Sequence, residues 1–487
     1  MNLVETFRAA RLRGVPIVAV TTPDQPAVIQ VLRETENGKA QAAPLVRWDC
    51  VTGMAPLNGA GEVALMRLVG VDSVTYNREN EEQVLQFQAA VRQATREPDA
   101  ALEAAARLPG CDEAAGTLGS VLFFQNAHLF FGVDFPGHAA VRQAASNLRD
   151  KFKASNRLLV LLAPELTLPV ELSQDVIVLD DPYPDESRLR EIVLDQYRGA
   201  GLPEPDAETL AKAVDALRGC ASFPAEQITA MSLRKSGLDL DALRERKRKE
   251  IEKVRGMFVD RESVTLSAVG GKEQAKRLLR GVFMGRARPG MVVRVDEIEK
   301  FLAGAGSSGP GDSTGVSQDQ AGVLLKEMED NGWTGLILVS PPGCGKTLLS
   351  KALGGEFDVM SVALDLGGTK DKWVGSSEQA VRQAFKTIKA AAGQGGAFFI
   401  ATCNKLEAVS PELRRRFRLG IWYDDLPTAE ERAQIWTIQL KARGLPLDSP
   451  RPDDKGWTGA DVRNCCEIES TRLNSSHEIP SRMPSSA

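Results

Sequence analysis

The stretch Ser340-Pro341-Pro342-Gly343-Cys344-Gly345-Lys346-Thr347 constrains what this chain can fold into more than any other. The apolar run Leu336-Ile337-Leu338-Val339 precedes it, and Leu348-Leu349-Ser350-Lys351-Ala352-Leu353 follows with the composition of a helix. Strand, glycine loop, helix is the context in which such a loop cradles phosphates. Glycines let backbone N–H groups curl around an anion, and the helix N-terminus adds partial positive charge. Lys346 is expected to reach the β- and γ-phosphates of a nucleotide, and Thr347 to ligate Mg²⁺. Ser340 stands where the pattern usually has glycine, while Gly343, Gly345, Lys346 and Thr347 keep it.

The chain has 487 residues, enough for two or three domains. Its net charge of −5 argues against broad, nonspecific nucleic-acid binding. No apolar run is long enough to cross a membrane. Met1-Asn2-Leu3-Val4-Glu5 lacks the basic and then apolar layout of a signal peptide. Seven cysteines without a CxxC pair suggest no disulfide framework, and so a reducing cytoplasm. The tail Ser470 to Ala487 reads as a translated sequencing-library adapter, so no function is assigned to His477.

Further elements surround the loop. Met291-Val292-Val293-Arg294-Val295-Asp296-Glu297 reads as a strand ending in two acids. Asp296 is expected to hold Mg²⁺ and Glu297 to orient and polarise the attacking water. Arg294 inside that strand is unusual. The strand Ala397 to Asn404 ends in an amide that can hold the lytic water. Pro411-Glu412-Leu413-Arg414-Arg415-Arg416-Phe417 clusters arginines that could reach a neighbouring subunit's γ-phosphate. Cys344 lies at a helix N-terminus, where a thiol pKa can be lowered. On that basis its oxidation would block phosphate entry.

Together these residues resemble the AAA ATPases of the katanin and spastin clade, over roughly Ser263 to Glu469. Ser340 to Thr347 is similar to Walker A, with Gly343, Cys344, Gly345, Lys346, Thr347 and Leu348 at the ATP phosphates. Val292 to Glu297 is similar to Walker B, giving Thr347 and Asp296 as metal ligands. Asn404 matches sensor 1, and Arg415 with Arg416 the arginine fingers. Lys372-Trp373-Val374-Gly375 looks like the pore loop that grips substrate polypeptide. Gly270 looks like the entry segment against adenine, and Gly459 with Ala460 like the start of the lid helix. The resemblance implies an α/β P-loop NTPase fold, a three-layer parallel sheet with a helical lid. It also implies ATP and Mg²⁺, and a ring homo-oligomer, a hexamer in the family, acting on a protein substrate. The motif order departs from the family: the unit Met291 to Asp330 lies before Walker A instead of after the pore-loop helix. A parallel strand needs its sheet neighbours rather than its sequence neighbours, so the moved unit is expected to slot between the same strands.

The N-terminal half reads as a faded copy. Val15 to Val20, Leu45 to Trp48, Val121 to Phe124, Leu158 to Ala163 and Val176 to Leu179 are apolar strands separated by helical stretches. Thr21-Thr22-Pro23-Asp24-Gln25-Pro26 has no glycine loop and no lysine, and Asn126-Ala127 stands where Walker B acids would. This half resembles the uncharacterised AAA proteins of chloroplast and cyanobacterial genomes. The expected organisation is a degenerate, P-loop-less AAA-like domain at 1–185 and a helical lid or linker at 186–257. An ATPase core at 258–427, a truncated lid at 428–469 and the tail at 470–487 follow. The charge run Arg244 to Glu250 is expected to be a solvated face or linker. The leading expectation is an ATP-driven remodeller. The alternative is a nucleotide-gated scaffold with slow hydrolysis, and a clamp-loader-like DNA protein is disfavoured by the acidic balance.

Overall fold

Short apolar runs bounded by polar turns become the strands of two parallel sheets, one in each of two compact units. A computed structural model describes residues 3–37, 43–112, 117–132, 135–260, 264–286, 288–299, 316–365, 376–409 and 411–477. The first unit comprises residues 1–183 with 221–223, and the second 184–220 with 224–487.

The first unit carries β1 (Ile17–Thr21), β2 (Leu45–Asp49), β3 (Gly53–Pro56), β4 (Val121–Phe124), β5 (Leu158–Ala163) and β6 (Ile177–Asp180). Across the sheet they run β6-β1-β5-β4-β2-β3, every pair parallel except β2 with β3. The unbroken runs Val-Leu-Phe-Phe and Leu-Leu-Val-Leu-Leu-Ala are wholly buried, as interior parallel strands covered on both faces require. Alternation sends Phe124 and Leu161 into one core layer, with Trp48 stacked on Phe124 at 4.1 Å. Val18, Phe123 and Val160 enter the other.

In the second unit a helical segment comes first, including the helices Glu186–Gly199, Ala207–Leu217 and Leu240–Ile251 and the small hairpin β7 (Leu233–Arg234) with β8 (Gly237–Leu238). It has its own apolar core around Leu189, Val193, Leu217 and Leu243. The charged run Arg244 to Glu250 departs from a uniformly solvated face. Leu243, Lys247 and Ile251 recur at helical spacing on a buried side. Burial accordingly pushes the Lys247 ammonium below its ordinary value.

The second sheet contains β9 (Met257–Val259), β10 (Met291–Val295), β11 (Thr334–Val339), β12 (Met360–Leu364), β13 (Ala397–Cys403) and β14 (Ile421–Tyr423). Its order is β14-β11-β13-β10-β12-β9, again parallel except at the β12–β9 edge. Val292, Leu336, Leu338, Phe398 and Ile400 face the helices Glu273–Phe283 and Lys346–Phe357. Val293, Ile337 and Phe399 face the layer formed with the helices Val316–Asp330 and Ser376–Ala392. Two further helices, Ala429–Ala442 and Gly459–His477, pack through Trp436, Leu440, Val462 and Cys466. Ser470 to His477 continue the last helix, and the rest of the tail lies outside the described residues.

Position by position the two sheets share one plan: five parallel strands and an antiparallel edge strand at the same end. The first unit visits the plan in the family's order. The second visits β10 before β11, yet β10 still lies between β13 and β12, with Met291 opposite both Ala397 and Met360. The moved strand has therefore kept its place in space. Its ends explain how. The Gly290 N–H donates to Gly396 O at 3.0 Å, and the Trp333 ring lies 3.4 Å from where a Gly396 Cβ would stand. Both ends of the displaced unit thus meet the chain at the point from which it is missing.

Transplanting residues 291–332 to follow Gly396, and joining Gly290 to Trp333, is expected to give a protein with the same cooperative unfolding transition. A urea titration followed by circular dichroism measures this. A loss of the transition would show that the strand order depends on the permuted connection.

Candidate functional site

The phosphate loop leads straight into the helix Lys346–Phe357. Gly343 and Gly345 sit at φ +82° and +80°, where a Cβ would strain the chain. No atom lies within 4 Å of a notional Gly345 Cβ, so the loop is open on that side. No side chain caps the helix, which leaves its first-turn N–H groups, those of Thr347 and half-buried Leu348 among them, to a ligand or water. Lys346 is nearly buried, and its Nζ donates to Ser340 O at 2.6 Å, Pro341 O at 3.2 Å and Asn404 Oδ1 at 2.9 Å. Burial pushes its ammonium below the usual lysine value, with Cys344 and Glu299 opposing.

β10 and β13 bring the acids and the amide to the same point. Asp296 Oδ1 accepts from the hydroxyls of Thr347 and Thr402, each at 3.2 Å. Its Oδ2 accepts from Arg294 Nη1 at 2.7 Å. Thr402 Oγ1 also accepts from the Glu297 N–H at 2.9 Å. Glu297 is left-handed, φ +52°, a turn that carries its side chain out of the strand. Asn404 donates its N–H to Glu299 Oε1 at 2.9 Å, while Glu299 Oε2 is buried with no nitrogen or oxygen donor on it among the described residues. Burial, then Glu299, pushes the Cys403 thiol up to about 11.

The donor set fits the ion that the sequence implies. Thr347 Oγ1 and Asp296 Oδ1 are hard oxygen ligands side by side, and Mg²⁺ takes one or two such protein oxygens together with phosphates and water. The open loop and uncapped helix suit the phosphates.

The C-terminal helices close on the loop. The Ala460 N–H donates to Gly343 O at 3.1 Å, and Gly459 lies beside the same carbonyl. A Cβ on Gly343 would meet Thr458 Oγ1 at 2.7 Å. Gly270 is pressed against Ile435, while the Gly271 and Lys272 N–H groups donate to Gln434 and Glu431 of the helix Ala429–Ala442. Lys272 Nζ pairs with Asp424. The expected entry segment and lid are therefore joined to one another and to the loop.

The arginines at the end of the helix Pro411–Arg416 differ in their partners. Arg414 folds back onto Val409 O and Leu406 O, and Arg416 pairs with Glu329 at 2.5 Å. Arg415 is exposed. Lys372, Trp373, Val374 and Gly375 lie outside the described residues.

Several contributors are not among the residues singled out from sequence. Thr402 is two residues before Asn404 on the same strand face, a spacing that marks it. Asp260 and Glu299 carry no such signal. In the first unit Gln125 and Asn126, not Asn126 and Ala127, fall at the positions of Asp296 and Glu297, and the site is self-satisfied. Asn126 keeps the left-handed turn at φ +54°, but its Oδ1 accepts from Gln25 Nε2 at 2.8 Å and its N–H donates to Gln25 Oε1 at 3.0 Å. Thr22 Oγ1 donates to Asp181 Oδ2 at 2.8 Å.

One expectation is corrected. Cys344 is buried, and desolvation raises its pKa despite the nearby Lys272 and Lys346. Withdrawal from water outweighs those two ammonium groups, so the thiol is less suited to oxidation than its place in the sequence suggests.

The second unit has the fold of an AAA-type P-loop domain, and the first unit repeats its strand plan. Residues 2–180 match the SpoVK-like AAA ATPase N-terminal domain, and residues 336–395 match the ATPase family associated with various cellular activities, AAA. Parts of the chain thus match AAA-family models, the second match stopping just where the displaced unit would otherwise follow. It is similar to the uncharacterized AAA domain-containing protein ycf46 of Guillardia theta, 23% identical over 66% of this chain and 64% of that protein. It is also similar to the cell division control protein 48 homolog C of Arabidopsis thaliana, 29% identical over 26% of this chain and 21% of that one. The ribosome biogenesis ATPase RIX7 of Saccharomyces cerevisiae is 26% identical over 24% of this chain and 18% of its own length. The chain spans less than two thirds of each of these relatives. No helix among the described residues is long and apolar enough to cross a membrane.

At pH 7.5, iodoacetamide is expected to modify exposed Cys50 well before Cys344, as read by peptide mass spectrometry. Equal rates would mean that the loop thiol is neither shielded nor raised.

Proposed function

We propose that this chain hydrolyses ATP at the loop Ser340 to Thr347 and, as a ring of identical subunits in the cytoplasm, uses the cycle to remodel or thread a protein substrate. The observation that carries the reading is the return of Asp296 to within 3.2 Å of Thr347, although their motifs occur in reversed order. The sheet fixes where position 296 falls; that a carboxylate stands there beside a hydroxyl is what a nucleotide-bound Mg²⁺ requires. When bound by Thr347 and Asp296, Mg²⁺ would supply charge neutralisation at the β- and γ-phosphates. Lys346 would leave Ser340 O and Pro341 O for those phosphates. Glu297 would take the proton of the attacking water, with Asn404 orienting it. Gly459 and Ala460 would carry nucleotide occupancy into the lid.

The arginines support the ring reading. Arg415 extends into solvent at the end of its helix, suited to a neighbouring subunit's γ-phosphate, and Arg416 would leave an exposed ion pair to join it. Lys372 to Gly375, with Trp373 foremost, would grip the substrate in a central pore. The first unit, whose equivalent site is closed by Gln25 and Asn126, would serve as a partner or substrate platform.

Glu297→Gln should keep ATP binding and lower turnover by about a hundredfold or more. Turnover no faster in the wild type than in this variant would favour the nucleotide-gated scaffold instead. Mixing Glu297→Gln with Arg415→Ala tests the ring. Each alone should be nearly inactive, and the equal mixture should recover about a quarter of wild-type turnover, because only shared sites combine one subunit's base with the next one's arginine. No recovery would place Arg415 outside the site.

A further inference from the structure

Arg294 has no part in the chemistry above, yet it is buried in the strand that carries Asp296. A guanidinium in such a place requires charged partners and fixed geometry. Its Nε and Nη2 donate to the two oxygens of Asp260, both at 2.9 Å, and its Nη1 to Asp296 Oδ2 at 2.7 Å. Asp260 is fixed in turn by the Ser361 hydroxyl at 2.7 Å, with Lys351 Nζ 4.0 Å away. Ser361, Asp260, Arg294 and Asp296 therefore form a continuous chain across β12, the residue after β9, and β10.

The effect falls on the two oxygens of Asp296. A carboxylate rotating about its Cβ–Cγ bond could offer either oxygen to a metal, or both. Here Arg294 holds Oδ2, and Oδ1 alone is left beside Thr347 Oγ1. We propose that Arg294 and Asp260 are positioning residues for Mg²⁺, a clamp that fixes the Asp296 carboxylate so that Oδ1 is presented next to Thr347. Asp260 also balances the guanidinium charge, which otherwise would oppose a cation at Asp296. The clamp ties the metal ligand to the segment by which the chain enters the ATPase core, since Asp260 directly follows β9. The inference rests on the reading of the loop as an ATP and Mg²⁺ site.

The test is equilibrium binding of a fluorescent ATP analogue to the full chain in the Glu297→Gln background, in excess Mg²⁺ and again in EDTA. The ratio of the two affinities measures how much the site gains from the metal, independently of turnover. Asp260→Asn is expected to lower that ratio about tenfold, the usual scale for removing an outer-shell partner, with the affinity in EDTA unchanged. Arg294→Lys keeps the charge and loses the fork, and is expected to lower the ratio in the same direction. It decides the matter if Asp260→Asn fails to give the parent far-ultraviolet spectrum. An unchanged ratio in the folded variants would overturn the clamp and leave Arg294 as a structural strut. Absence of ATP binding in the parent under both conditions would instead overturn the nucleotide reading, and the clamp with it.

Discussion

The second unit depends on the backbone pairing of β10 with β13 on one side and β12 on the other. Parallel strands exchange hydrogen bonds with whatever lies beside them, and the ladder is indifferent to the order in which the chain supplies its members. Once β10 is seated, its C-terminal end must emerge between those of its neighbours. Asp296 and Glu297 then fall beside Thr402 and Asn404 without further instruction, and Thr347 is brought in by the helix that follows β11. The placement of these side chains is thus inherited from the ladder.

The first unit shows which parts of this arrangement belong to the fold. It retains the sheet plan and the left-handed turn after the equivalent strand, at Asn126 as at Glu297. The turn is therefore a feature of how this strand ends, kept where no acid occupies it. What the first unit lacks is the glycine loop, the lysine and the carboxylates. In their place Gln25 and Asn126 satisfy one another. A neutral amide pair needs neither phosphate nor metal to balance it.

Much of this was legible from residue order. The runs Val121 to Phe124, Leu158 to Ala163 and Ala397 to Ala401 are apolar throughout because both faces are covered, and they announce interior parallel strands. The spacing of Gly343, Gly345, Lys346 and Thr347 fixes a local geometry, so the loop was readable too. The edge strands β3 and β9 were not, because three or four residues paired on one side leave no period to detect. Nor was Asp260: its partner lies 34 positions away, and only the fold joins them. Cys344 shows the complementary failure. Its place at a helix end was visible in the sequence, but its burial, which decides the sign of its pKa, is a property of packing.

The strand order has a kinetic consequence. Among the described strands of the second sheet no two consecutive in the chain are hydrogen-bonded to each other: β10 pairs with β12 and β13, β11 with β13 and β14, and β9 with β12. In the first sheet β2 pairs with β3, and β4 with β5. The first sheet can accordingly begin from adjacent segments as they leave the ribosome. The second must close a long loop before its first rung forms, and β13, which joins β10 to β11, is made after both. The permuted unit therefore holds unpaired apolar strands through much of its synthesis, a stage at which chaperone capture competes with folding.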